Sequence, residues 1–301
     1  MLEFGYKKLP VYCYMDGDDL GDCGGGGWTL VMKIDGSKVL FVQVIRKHGP
    51  RKCQWTSSMS EEAKVGLAAP TENKAYMLEF GYKKLPVYCY MDGDDLGDCG
   101  GGGWTLVMKI DGSKVELLRI VHLLNCVLQK TFHYDSSYWT DLKSYGVHEG
   151  KTGLDGMEAK LPSYWATPFT KICLGMTIGV ETRFYLLDKE ASSLYSLIQD
   201  GKHRPTNLGR DEWKKLIGSQ ASLQQNCEKE GFNVLSDNAG SSKARIGIVG
   251  NNEDDCITSD SRIGFGTGGY PDDTNTCGNV AQHGGDSGDE FIKAIGYIFV
   301  Q

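Results

Sequence analysis

The sequence lacks an apolar run long enough to cross a bilayer. Its most apolar stretch, residues 117–128, is too short for a span and contains Arg119, His122 and Asn125. Clusters of lysine and arginine are also missing, and the formal net charge is −7 with a pI near 5.4. Because phosphate binding requires such clusters, we expect neither a membrane nor a nucleic-acid partner. Cations or basic partners fit the charge better.

Signatures of catalysis and of zinc binding are missing too. The chain has no nucleophile elbow, no His-Glu-x-x-His and no recognisable Cys–His pair, so we predict a protein that is not an enzyme. None of its 10 cysteines forms a Cys-x-x-Cys pair. So many cysteines without metal spacing favour disulfides in an oxidising compartment, which predicts a secreted, extracellular protein. Buried free thiols in a cytosolic chain are the alternative.

The chain does contain a perfect repeat, since residues 1–39 are identical to residues 77–115. Old structural repeats drift apart, so complete identity indicates a recent exon duplication or a misassembled gene model. Either origin explains why the chain does not open with the basic and apolar regions of a signal peptide. We predict a truncated duplicate at 1–39, a lead-in at 40–76 that contains Cys53, and one domain at 77–301.

A candidate insert lies at 115–130, after the second copy. Its leucines fall at helical spacing, and it could form a helix, form a strand, or belong to no native core. Elsewhere, strand-like runs are found at 86–91, 104–110, 182–187, 244–249 and 294–300, and candidate helices at 191–199 and 209–218. Residues 228–288 are rich in Gly, Asp, Asn and Ser and are predicted to be mostly loop. This pattern predicts an α+β fold with a long, ligand-competent loop region.

Two motifs near the second glycine run carry a family resemblance. PVYCYMD at 86–92 is followed by GGGGWTLVMKIDGS at 100–113. This order resembles the opening strands of the fibrinogen C-terminal-like domain, and the four-glycine form resembles its intelectin branch of calcium-dependent lectins. Glycines permit positive φ and close backbone approach, so we expect a sharp turn that places Trp104 in the core. The resemblance implies a first disulfide from Cys53 and Cys89, and a C-terminal bridge around Cys256 and Cys277.

The same resemblance implies a calcium site. NNEDDC at 251–256 and GGYPDDTNTCGN at 268–279 resemble the calcium-binding stretches of intelectins, which gives the ligand set Asn251, Glu253, Asp254, Asp272 and Asn279. The first two match the family pattern, and the other three are replacements that keep an oxygen donor, which calcium prefers. Val234 and Leu235 stand where intelectins have an Asn–Glu sugar-contact pair. Changed sugar specificity and a calcium site without lectin activity therefore both stay open.

Longer segments, at 131–146, 160–176, 193–227 and 243–256, resemble secreted cnidarian proteins, the uncharacterised skeletal organic matrix proteins of stony corals. That resemblance implies a place in the matrix of a calcium carbonate skeleton and no activity. The expected partners are carbonate mineral or matrix glycans and proteins, and an acidic surface suits contact with lattice calcium. We therefore predict a secreted, non-catalytic matrix protein. The alternative is a calcium-dependent glycan-binding lectin of intelectin type, with calcium as its cofactor.

Overall fold

The computed structural model describes residues 72–92, 96–114 and 131–301 in full. Outside these ranges it gives only the backbone pairing of six short strands, which form the antiparallel pairs β1–β2, β3–β4 and β8–β9. Their bounds are β1 Leu2–Phe4, β2 Lys7–Leu9, β3 Cys13–Tyr14, β4 Trp28–Thr29, β8 Glu116–Leu118 and β9 Val127–Gln129. The candidate insert at 115–130 therefore contains a strand pair. Cys53 and most of the lead-in at 40–76 lie outside the described residues.

Seven antiparallel strands form the first sheet. Its order is β12-β11-β19-β7-β6-β5, and the short β10 also pairs with β7. The bounds are β5 Lys74–Phe80, β6 Lys83–Tyr90, β7 Trp104–Asp111, β10 Ala159–Lys160, β11 Phe169–Ile178, β12 Glu181–Ala191 and β19 Ile295–Val300. The strands predicted at 86–91, 104–110, 182–187 and 294–300 are confirmed as β6, β7, β12 and β19, although Met91 and Ala294 lie just outside their strands.

Six antiparallel strands form the second sheet, in the sequential order β13 to β18. The bounds are β13 Arg204–Pro205, β14 Asn226–Leu235, β15 Lys243–Asn251, β16 Ser261–Gly268, β17 Cys277–Ala281 and β18 Glu290–Lys293. The strand predicted at 244–249 is confirmed within β15. The main hydrophobic core joins the two sheets, because it contains Val107 and Ile110 of the first and Phe232, Ile246 and Phe265 of the second.

Helices are few and short. They are α1 Ser163–Ala166, α2 Leu194–Ile198 and α3 Arg210–Lys215, with 3₁₀ turns at Gly97–Cys99, Ser137–Trp139 and Glu149–Lys151. The two predicted helices are confirmed as α2 and α3, although both are shorter than the sequence pattern suggests. A capping box between Ser193 and Ser196 begins α2. In the described ranges, no helix has the length and apolar character needed to cross a membrane.

The predicted α+β class is wrong, and the described structure is mostly β. Strands hold 43 % and helices 11 % of it. The error comes from residues 228–288, which were predicted to be mostly loop but contain most of β14 and all of β15, β16 and β17. Glycines in this segment do not break the strands. Gly247 pairs with Gly264 across β15 and β16, where a missing side chain lets the two backbones approach.

The four-glycine turn behaves as the sequence predicts. Gly103 has φ +88°, and its N–H donates to the Tyr90 carbonyl oxygen over 2.6 Å. A Cβ on Gly102 would lie 2.0 Å from the Met91 carbonyl oxygen, so only glycine fits. The chain thus reverses between β6 and β7, and Trp104 is fully buried.

Within the fully described ranges, two cysteine pairs have disulfide geometry. Cys99 pairs with Cys173, with Cα atoms 5.7 Å apart, and Cys227 pairs with Cys256, with Cα atoms 5.0 Å apart. Cys89 is also disulfide-bonded. The expectation of a C-terminal bridge around Cys256 and Cys277 is wrong as a pairing, because Cys277 is a buried free thiol. Cys277 packs beside Gly296 of β19 within the core and pairs with Phe265, whereas the loop that carries Cys256 enters β16 at its other end, at Ser261.

Candidate functional site

The negative charge of the chain is concentrated in one stretch. Between residues 252 and 290 there are nine carboxylates and a single arginine, whereas the whole chain has a net charge of −7. Most of these carboxylates lie on the three loops 252–260, 269–276 and 282–289, which connect β15 to β16, β16 to β17 and β17 to β18. We call these three loops the acidic loop cluster. Charge outside this stretch is close to balanced, so this is the strongest anionic feature of the sequence.

The 252–260 loop is fastened at several points. The Cys227–Cys256 disulfide ties it to β14. Further along, the Asp237 N–H donates to the Cys256 carbonyl oxygen over 2.8 Å, and the Ser242 N–H donates to the Ser259 carbonyl oxygen over 2.9 Å. Covalent and backbone bonds therefore hold this loop against the turn between β14 and β15.

Gln224 joins two loops of the cluster from a fully buried position. Its Oε1 accepts the Asp260 N–H over 3.0 Å. Its Nε2 lies 3.1 Å from Asn252 Oδ1 and 3.0 Å from the carbonyl oxygens of Gln282 and His283. One amide side chain thus fixes both ends of the 252–260 loop relative to the start of the 282–289 loop.

Arg262 organises the 269–276 loop in a similar way. Its guanidinium is fully buried and donates to the carbonyl oxygens of Gly269, Tyr270 and Asp272 and to Ser242 Oγ. Burial lowers the pKa of Arg262 to about 10, while the negative charge of Asp272 opposes that shift. The side chain stays charged at neutral pH, so a buried cation gathers the backbone of the loop around itself.

Three of the five predicted calcium ligands lie close together in the chain, at the start of the 252–260 loop. Asn251 is fully buried, and its Nδ2 donates to the backbone oxygen and to Oδ1 of Asp255 over 3.1 and 3.0 Å. Asn251 Oδ1 has no hydrogen-bond partner among the residues that the structure describes. Glu253 and Asp254 follow in the same loop and are exposed.

The other two predicted ligands make different contacts. Asp272 Oδ1 accepts from the N–H and the hydroxyl of Thr274, in a local turn. Asn279 is buried, and its amide is occupied by the Ser222 backbone and the Arg262 carbonyl oxygen. Across the described ranges, no three acidic, histidine or cysteine side chains converge on a point where they could hold a metal ion. The five predicted ligands therefore do not surround one metal position, and calcium binding stays a prediction.

An exposed aromatic residue stands beside the carboxylates. Tyr270 stacks on His283 with ring planes 10° apart, and its hydroxyl lies 2.9 Å from His283 Nε2. Burial raises the pKa of Asp260 above its ordinary value; the His283 ring opposes this shift and the charge of Glu253 adds to it. The loops thus present acidic groups and one exposed aromatic face together.

The sequence predicted the acidic residues of these loops but not Gln224 and Arg262, whose side chains fix the loops in place. Gln224 has no sequence signal, because one glutamine in a polar stretch is unremarkable. Arg262 does have one, since it lies in a run of glycine and apolar residues, SRIGFG. A charge within a strand of that kind indicates a buried cation that needs acceptors.

Comparison with known proteins gives no family for this chain. No family model matches it, and no curated protein sequence matches it.

Proposed function

We propose that this chain is a secreted, non-catalytic protein of an extracellular matrix and a component of a calcified skeletal organic matrix. One observation carries this proposal, the acidic loop cluster. Its exposed carboxylates include Glu253 and Asp254, which form no ion pair with any described residue. Carboxylates that are not neutralised by the protein itself are available to cations outside it.

The chemistry of these carboxylates suits a mineral surface. Calcium is a hard ion that binds oxygen ligands, and carboxylates on a surface can complete the coordination of lattice calcium without enclosing it. The loops are fastened by Gln224, Arg262 and the Cys227–Cys256 disulfide. Loops that are already ordered lose less entropy on binding than flexible ones. The disulfides also support an extracellular location, where such bonds persist.

Adsorption of the full chain to calcite tests this function. The variant Glu253→Gln/Asp254→Asn removes two exposed loop charges and keeps the size of both side chains. We expect this variant to require several-fold more protein for half-maximal coverage than the unchanged chain, because two calcium contacts lose their charge.

A matched control separates the position of the charge from its amount. Asp188→Asn/Glu190→Gln removes one aspartate and one glutamate from exposed positions on β12. This control is expected to adsorb like the unchanged chain. If both variants lose adsorption to calcite equally, only net charge matters. If both variants adsorb as well as the unchanged chain, the acidic loop cluster does not carry the binding.

A calcium-dependent glycan-binding lectin is the second candidate. Asn251 favours it, because its buried Oδ1 has no partner in the described structure and calcium binds amide oxygens. Exposed Tyr270 adds an aromatic face of the kind on which sugars stack. Calcium-dependent retention on a glycan array that Glu253→Ala abolishes would select the lectin. Carbonate adsorption that survives Glu253→Ala, with no glycan retained, would select the matrix role.

A further inference from the structure

The second copy of the repeat is an essential part of the first sheet. Residues 77–111 include most of β5 together with β6, the four-glycine turn and β7, and β7 lies between β6 and β19. Its buried side chains enter both hydrophobic clusters, and they include Leu78, Val87, Trp104, Leu106, Val107 and Ile110. Cys99 within it forms the disulfide to Cys173 of β11. We call residues 77–111 the resident module.

The first copy contains the same module, and its strands pair in the same register. Residue numbers in the two copies differ by 76 throughout. The pairs of β1 with β2 and of β3 with β4 therefore correspond one by one to pairs in the resident module: Leu2–Leu9 to Leu78–Leu85, Phe4–Lys7 to Phe80–Lys83, Cys13–Thr29 to Cys89–Thr105, and Tyr14–Trp28 to Tyr90–Trp104. We call residues 1–35 the spare module.

Identical residues make identical contacts in the same place. Every buried side chain and every glycine that the sheet requires from residues 77–111 is also present in residues 1–35. Cys23 occupies the position of Cys99 in the spare module and can form the same bond to Cys173. We propose that the two modules are interchangeable, so that residues 1–35 of the same chain can occupy the place of the resident module beside β19.

The resident module has two advantages in this competition. Its β5 includes Lys74, Ala75 and Tyr76, which lie just before the repeated residues and pair with β6, and Asn73 Oδ1 accepts the Met91 N–H over 2.8 Å. Its connection to the rest of the domain is also shorter, with residues 112–130 as the linker rather than 36–130. Loop-closure entropy alone favours the shorter linker by about tenfold. Because β7 is central, the choice between modules is made as the chain folds.

Disabling one module at a time tests the exchange in the full chain. Val107 is fully buried, and Val31 is its counterpart. Val107→Asp disables the resident module and Val31→Asp the spare one. We expect each single variant to unfold cooperatively in urea and the double variant to show no transition. Ile298→Asp, in β19, has no duplicate and is expected to behave like the double variant.

A peptide map without reduction identifies which module is in place. Trypsin releases residues 9–33 and 85–109 as peptides of the same sequence, and the substitution gives them different masses. In Val107→Asp, the peptide linked to Cys173 should carry valine and hence Cys23. With the conservative label Val31→Ile in an otherwise unchanged chain, about one in ten or fewer of the Cys173-linked peptides should carry the label.

Three results would overturn the proposal. Val107→Asp could lack a cooperative transition, as the double variant does. Its Cys173 could be unpaired or linked to the peptide that carries aspartate. A bond from Cys23 to Cys173 found only between chains, in a disulfide-linked dimer, would contradict exchange within one chain.

Discussion

Gly247 and Gly264 face each other across β15 and β16 at a separation that excludes side chains. A Cβ on Gly247 would lie 2.3 Å from the Ile263 carbonyl oxygen and 2.9 Å from the Gly264 Cα. Both contacts are with backbone atoms, which cannot rotate away. The second sheet, which carries the acidic loops, therefore depends on glycine inside its strands.

Gly247→Ala should lower the free energy of unfolding by about 2 kcal/mol, because overpacking against a backbone forces the strands apart. Urea denaturation measures this loss. Gly156→Ala is the control, since its Cβ would meet only Ile295 Cδ1, at 3.8 Å. An unchanged urea midpoint in Gly247→Ala would show that the two strands can separate without cost.

Arg262→Met should lower the free energy of unfolding by about 3 kcal/mol, because it leaves buried carbonyl oxygens of the 269–276 loop without donors. Methionine keeps most of the length of the apolar stem, so the lost hydrogen bonds dominate. Lys215→Gln removes an exposed cation paired with Glu212 and should leave the urea midpoint almost unchanged, because solvent screens exposed ion pairs. Similar urea midpoints for both variants would contradict the role given to Arg262.

Cys227→Ala/Cys256→Ala should lower the free energy of unfolding by about 3–4 kcal/mol. The bond closes a loop with a sequence separation of 29, which limits the unfolded chain. It also fastens the 252–260 loop, so amide hydrogens of that loop should exchange faster in the variant. If stability falls while hydrogen exchange in the loop is unchanged, the disulfide stabilises the protein only by restricting the unfolded chain, and it does not fasten the loop.

The lowered pKa of Asp286 predicts that the folded state loses stability in acid. Burial opposes its ionisation, but hydrogen bonds from Lys214, the Leu223 N–H and Arg210 outweigh burial and lower the pKa of Asp286 from 3.8 to about 2. A lowered pKa means that the ionised group stabilises the folded state above about pH 4, and that this contribution disappears as the pH falls toward 2.

Asp286→Asn should therefore cost about 2 kcal/mol at pH 7 and almost nothing at pH 2. Urea unfolding of both proteins between pH 7 and pH 2 measures the difference. A gap between the two proteins that stays constant over this range would show that the charge of Asp286 is not what stabilises the fold.

The sequence predicted individual strands and helices better than the fold class. Short strand-like apolar runs predicted β7 and β19, and charges in the first and last turns predicted α3. Glycine content misled the prediction for 228–288, because glycine marks turns by its flexibility but also marks strands that pack closely, as at Gly247. Composition alone cannot distinguish these two uses. Only the partner strand, which is distant in sequence, decides between them.

The candidate site was predictable only in its exposed part. Acidic residues such as Glu253 and Asp254 can be recognised in the sequence, and so can the arginine within β16. The contacts of Gln224 depend on tertiary structure that joins residues about 30 to 60 positions apart, as at Asn252 and His283. The pairing of Cys256 with Cys227 likewise follows from the β14–β15 register, which cysteine spacing does not reveal.

Hydrogen exchange of the full chain adsorbed on calcite tests the central claim most directly. The acid quench that stops exchange also dissolves the carbonate and releases the protein for analysis. If the acidic loop cluster contacts the mineral, peptides from 252–260 and 282–289 should exchange more slowly on calcite than in solution, while the β5–β6 hairpin should not change. Protection confined to that hairpin, around Lys83 and Lys84, with both loops unprotected, would contradict the account.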